Sequence, residues 1–294
     1  MEAKSMTEKF IVQSNKKVKL KAYDTAYTGG MKKSEGKKLL ERNVEELASI
    51  QRLFWADNSY ALLVVLQAPD AAGKDGAIRH VMSGLNPQSC RVYSYKAPSP
   101  QELDHGYLWR HFRDLPERGM IGIFNRSHYE NVLVTKVNPR LVLNEHIPDI
   151  NEVKDIDDKF WERRYQQIND FEKYLFENGI LVIKFFLNIS KEEQKVRLLA
   201  RLEEPDKNWK FSSDDLKARA CWDDYQKAYE DMLENTSTDY APWFIIPADK
   251  KYFARVAIGK IIVEKLEKLK LKYPEPESKE ELKRAKEILL SEEG

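Results

Sequence analysis

Short apolar runs alternate with longer stretches of helical periodicity along most of this chain. The runs fall at Ala61–Gln67, Arg91–Tyr95, Met120–Phe124, Ile180–Leu187 and Trp243–Pro247, and each predicts a strand. Between them, Asp158–Glu177, Lys191–Leu202 and Ser213–Leu233 repeat apolar residues at helical spacing. Ahead of the first run, Leu39, Leu40, Val44, Leu47, Ile50, Leu53 and Phe54 share one face and predict a helix from about Lys37 to Asp57. Runs such as "LLVVL" and "ILVIKFFL" suit strands buried on both sides. The alternation therefore predicts βαβ units and a five-stranded parallel sheet covered by helices on both faces. Ligands of such sheets bind at the carboxyl ends of the strands, so those ends carry the candidate chemistry.

The expected organisation is one α/β domain. A basic arm and helix occupy 1–58 and the core spans 59–258, with a lid at about 190–220. A helical tail covers 259–294, its charged helix Lys279–Leu290 following "YPEPES" at Tyr273–Ser278. The net charge of +1 conceals an uneven distribution, because Lys16–Arg42 holds nine Lys or Arg against three Asp or Glu. That arm is either a solvated segment or a polyanion contact. No nucleic-acid motif accompanies it, so nucleic acid is not expected as a partner. Cys90 and Cys221 have no metal or disulfide spacing, and both read as reduced structural thiols. No signal-like or membrane-length apolar run occurs, so a cytoplasmic protein without a membrane partner is expected. His80, His105, His111, His128 and His146 lack metal-ligand spacing and are assigned no catalytic role. The aromatics of the amphipathic stretch Trp161–Gly179 read as core.

The first strand runs straight into "QAPDAAGKDG", followed by the helical "AIRHVMSGL". Strand, turn, Gly-Lys and helix are the context of a phosphate-binding loop. Backbone N–H groups converging at a helix N-terminus favour an anion there. Ala71, Ala72, Gly73 and Gly76 keep that backbone accessible, and Lys74 supplies a point charge for a transferring phosphoryl group. Two departures stand out. Asp75 replaces the usual magnesium-binding Ser or Thr; it is counted with the loop, its side chain read as solvated surface. Asp70 puts a carboxylate beside the phosphates, which is repulsive unless it binds a metal or orients the attacking group.

A second strand end, "MIGIFNRSHYENVLV", offers Asn125, Arg126 and Glu130. Arg126 suits bidentate phosphate binding. Glu130 reads as restoring a charge that Asn125 lacks and as a capping-box partner of Ser127, two roles that can hold together. After the fourth strand, Arg197 and Arg201 lie at i and i+4 with Lys207 and Lys210 beyond them. Lys191–Arg219 holds eight basic against seven acidic residues, so either a salt-bridged surface helix or a lid over the phosphates fits.

The ordered blocks "PDAAGKDG", "FNRSHYENVLV", "FFLNISKEEQKVRLLAR" and "PDKNWKFSSDD" together resemble the family-2 polyphosphate kinases. The resemblance runs from Tyr23 to Val256, more than three-quarters of the chain. It implies a thymidylate-kinase-like three-layer αβα P-loop kinase fold with a helical lid. It also implies reversible phosphoryl transfer between inorganic polyphosphate and AMP, ADP or ATP, using Mg²⁺ or Mn²⁺, in a homo-oligomer (dimer or tetramer). By matching motif, Asp70 is the Walker-A aspartate and metal ligand, Lys74 the phosphate lysine, Arg126 the strand-end arginine, and Arg197 and Arg201 the lid arginines. Asn125 with Glu130 is similar to the third class, which accepts both AMP and ADP. An ATP-dependent nucleoside monophosphate kinase of the same fold is the alternative.

Overall fold

The computed structural model describes residues 5–276 and 278–292. Its strands are β1 (Ala61–Gln67), β2 (Cys90–Ser94), β3 (Ile121–Asn125), β4 (Ile180–Asn188) and β5 (Trp243–Pro247). Each lies within one residue of the run that predicts it. All neighbours pair in parallel, in the order β2-β3-β1-β4-β5.

Alternate strand residues feed two cores. Leu62, Val64 and Leu66 face the helices Lys33–Asp57, Lys74–Val81 and Lys251–Leu266. Leu63 and Val65 face Glu130–Val137, Asp158–Glu177 and Trp222–Thr236. Every residue of β1 is buried, which is why its sequence is continuously apolar. β2 is the edge, with Arg91, Val92 and Ser94 exposed. The opposite edge is covered by the N-terminal arm: Val12 N–H donates to the Trp243 carbonyl at 2.8 Å, and Ile11 bridges Phe244 in antiparallel fashion.

Lys184 interrupts the apolar run of β4 and is fully buried. Its ammonium pairs with buried Glu172 and donates to the Tyr129 hydroxyl at 2.8 Å and the Thr236 carbonyl at 2.7 Å. A buried charge is tolerated only when it is paired and hydrogen-bonded in this way.

Some predicted boundaries shift, and the loop helix ends at Val81, short of the end of the helical "AIRHVMSGL". The first long helix begins at Lys33, one turn before the apolar repeat. The stretch Ser213–Leu233 divides into helices Ser213–Ala220 and Trp222–Thr236, broken at Cys221. Asp223 and Asp224 sit in the first turn of the second, where the helix dipole favours acids. Asn125 is the last residue of β3, not the residue beyond it. Among the described residues no helix is long and apolar enough to cross a membrane.

Candidate active site

Register brings the site together. Asn125 at the end of β3 lies beside Leu66 of β1 and Ser94 of β2. The loop after β1 and the turn after β3 therefore leave the sheet side by side, joined by a bond from Arg126 N–H to the Leu66 carbonyl at 3.1 Å.

The loop Ala68–Gly73 enters the helix Lys74–Val81 through two left-handed residues, Ala71 (φ 61°) and Gly73 (φ 111°). Gly73 takes that conformation freely, whereas Ala71 is strained by about 1–2 kcal/mol. The restraint comes from Arg197. Its Nη1 donates to the carbonyls of Ala71 (3.2 Å) and Ala72 (2.6 Å), and its Nη2 to those of Ala248 (2.7 Å) and Asp249 (3.0 Å). Nε completes the set on Glu193 at 2.8 Å. Gln194 adds a bond to the Asp70 carbonyl at 3.1 Å. Arg197 thus lies beneath the loop with its guanidinium committed to backbone oxygens and Glu193.

Lys74 is buried at the helix start, donating to the Ala68 carbonyl at 2.9 Å. Burial, reinforced by the nearby Arg126 charge, lowers its pKa to about 8. Arg126, itself left-handed (φ 63°), stands between two carboxylates: Asp70 at 2.6 Å and Glu130 at 3.0 Å. Those charges, Glu130 first, hold it firmly protonated. Glu130 thus binds Arg126 and does not close the capping box expected with Ser127. The Ser127 hydroxyl accepts instead from Tyr129 N–H and the Gln67 amide, because that turn precedes the helix. Tyr129, within the same turn, donates to Glu172 at 2.7 Å and so ties it to the buried Lys184 pair.

Asp75 does not behave as solvated surface alone. Its Oδ1 accepts from the Asn125 amide at 2.8 Å, and the same amide donates to the Ser94 hydroxyl at 3.3 Å.

Above the loop, Arg201 pairs with Asp215 at 2.7 Å. Asp215 is pushed up by burial first and by the Asp70 charge second. Lys207 pairs with Glu204, and Lys210 lies 5.0 Å over the ring of Trp209, which is 78% exposed. A cleft of about 870 Å³ collects every predicted site residue except Glu130, which lies behind Arg126.

Sequence reasoning missed part of this cleft. Lys251 and Arg255, one turn apart on the helix after β5, line it as well. Partial burial, then neighbouring cations, depress both: Arg197 acts on Lys251, and Arg79 with Arg197 on Arg255. A Cβ added to Gly76 would stand 3.4 Å from Arg255 Nη2, so this cation overhangs the loop helix. The available signal was their i, i+4 spacing just past a strand end.

A parallel sheet whose first strand feeds a Gly-Lys loop, ringed by cations at the strand ends, defines a phosphotransferase of the P-loop kinase class. Comparison with known proteins makes this specific. Residues 30–274 match the model of the family Polyphosphate kinase 2 (PPK2). The chain is 46% identical to an ADP-polyphosphate phosphotransferase of Rhodopseudomonas palustris, over 98% of this chain and 99% of that one. It is 43% identical to an AMP/ADP-polyphosphate phosphotransferase of Meiothermus ruber, over 93% and 98%. The crystal structure of polyphosphate kinase 2 from Arthrobacter aurescens superposes with a TM-score of 0.88 at 39% identity, covering 98% of each chain. The chain belongs to the polyphosphate kinase 2 family.

Proposed function

We propose that this protein is a polyphosphate-dependent nucleotide kinase. It moves the terminal phosphoryl group of inorganic polyphosphate to AMP or ADP, reversibly. The observation that carries the reading is the cleft itself, where Lys74, Arg126, Arg201, Lys207, Lys251 and Arg255 converge on one phosphate loop. So many cations in one cleft suit a donor that is phosphate throughout.

In the forward direction a terminal phosphate oxygen of the acceptor attacks the end phosphorus of the chain in line. The bond from that phosphorus to its bridging oxygen breaks, leaving polyphosphate one unit shorter. Loop N–H groups and Lys74 hold the transferring group. Arg126, steadied by Asp70 and Glu130, neutralises charge in the loose transition state, and Arg201 contributes from the lid side. Closing the lid excludes water that would otherwise compete as acceptor.

The oxygen-rich head of the cleft fits a hard divalent cation, Mg²⁺ or Mn²⁺. Asp70 and Asp75 supply carboxylates, and Asn125 Oδ1 is buried without a hydrogen-bond partner. Among the described residues no three His, Cys, Asp or Glu cluster to hold a metal by themselves. Mg²⁺ binds through one or two carboxylates plus substrate phosphates. Held there, such a cation would supply positive charge that offsets the negative charge of the phosphates.

Polyphosphate offered with AMP and then with ADP, each with Mg²⁺ and no other donor, tests the reading. ADP and ATP arising from AMP support acceptance of both nucleotides. Activity on ADP alone removes the dual-acceptor part. Turnover only with ATP as donor replaces the proposal with a nucleoside monophosphate kinase.

A further inference from the structure

We infer that Asp75, more than Asp70, is the protein carboxylate that holds the divalent cation in this chain. The inference rests on the phosphotransfer reading above, which supplies the reason for a cation in the cleft.

The two aspartates stand in different electrostatic company. Asp70 Oδ1 is 2.6 Å from the Arg126 guanidinium, which also holds Glu130, so that carboxylate oxygen is already engaged by a cation. A dication approaching Asp70 also meets the positive charge of Arg126. Asp75, one residue past Lys74 in the first turn of the loop helix, is exposed and takes part in no ion pair among the described residues. Among the described residues its one side-chain partner is the neutral Asn125 amide, 2.8 Å from Oδ1. That contact fixes the carboxylate against the end of β3 without using up its charge.

The amide also fixes its own orientation. Reversing it would set an amide oxygen against the carboxylate, two acceptors face to face. With Nδ2 committed to Asp75 and Ser94, Oδ1 is the atom left buried and without a donor. A buried acceptor with no hydrogen-bond donor is destabilising, and a coordinated cation or its water removes that cost. The Asp75 carboxylate and the Asn125 carbonyl are oxygen ligands of the kind hard dications select, and the Ser94 hydroxyl lies 3.3 Å from Nδ2 of the same amide. Asp75 also occupies the position that the magnesium-binding Ser or Thr fills in the usual loop motif.

Mn²⁺ binding to the intact protein tests this, read by electron paramagnetic resonance of free Mn²⁺, with and without tripolyphosphate. Asp75→Asn is close to isosteric and keeps a polar partner for Asn125. Its affinity for Mn²⁺ should fall about tenfold or more. Asp70→Asn should change that affinity by less than about threefold. Thermal melts of both variants confirm folding. The reverse ranking, or an Asp75→Asn protein that binds Mn²⁺ as wild type does under both conditions, overturns the inference. The readout needs no turnover. Failure of polyphosphate to serve as donor would therefore sink the functional reading separately, leaving the Mn²⁺ ranking still legible.

Discussion

The floor and the roof of the cleft are both cationic, yet they use their cations in opposite ways. Beneath the loop, Arg197 gives its donors to backbone carbonyls and Glu193, and Lys74 reaches back to the loop carbonyl of Ala68. Above it, Arg201, Lys207 and Lys210 rest on single carboxylates or an aromatic ring at partly exposed positions. Arg197 and Arg201 are one helical turn apart on the same helix, Lys191–Glu203. The change from many backbone partners to few therefore falls within a single turn. Two arginines of the same helix thus differ in how many of their donors the protein itself takes up.

The largest effects should come from the floor. Lys74→Ala and Asp70→Asn should each lower polyphosphate-dependent turnover by about 10²–10³ with melting temperature little changed. Near-normal turnover in both variants would remove the loop from the mechanism.

Arg197→Ala separates floor from roof. It strands at least four backbone carbonyls and releases the strained Ala71, so it should destabilise the fold by roughly 3 kcal/mol. That corresponds to a melting temperature lower by roughly 5–10 °C, with activity falling in parallel. Arg201→Ala should instead cut kcat about tenfold to a hundredfold with an unchanged melt. Equal thermal losses in the two variants would erase the distinction.

The support under the floor should also respond to acid. His111 and His128 are both fully buried, and burial, with His128 and Arg110 near the first, depresses their pKa values. Below about pH 6.5 the unfolded chain then binds protons that the folded chain refuses, so stability falls as pH drops. The loss is at most about 1.4 kcal/mol per pH unit for each histidine. His111→Phe should flatten this decline in melts recorded between pH 7 and 5.

The smallest effects belong to the roof. Lys207→Ala and Lys210→Ala should raise KM for long-chain polyphosphate by roughly threefold to tenfold, a loss of about 1 kcal/mol per contact, without altering the melt. Fluorescence of the exposed Trp209, beneath Lys210, should change on polyphosphate addition in the wild type and less in Lys210→Ala.

The sheet was legible because strands buried on both faces leave an uninterrupted apolar signature, and β1 and β5 match their predicted limits residue for residue. The helix Asp158–Glu177 was equally plain from its periodicity. The loop could be recognised because its chemistry is local, a few residues between strand and helix. Partnerships across the sheet could not. The contact of Asn125 with Asp75 depends on β3 lying beside β1, and the Arg197 clamp depends on where β5 ends. Glu130 lies three residues after Ser127 and four after Arg126, spacings that suit a cap and an ion pair respectively, and only the fold decides between them. Lys184 gave no warning inside "ILVIKFFL", since its countercharge Glu172 lies on a neighbouring helix.

The Arg197 clamp has a consequence for the order in which the protein is made. The loop it shapes is complete by residue 76, but two of the carbonyls it grips belong to Ala248 and Asp249. A chain synthesised from its N-terminus carries the phosphate-binding motif long before it holds the strand that finishes it. The motif is thus encoded early and assembled late. Until β5 docks, a nascent chain has the sequence of a phosphate site without its shape.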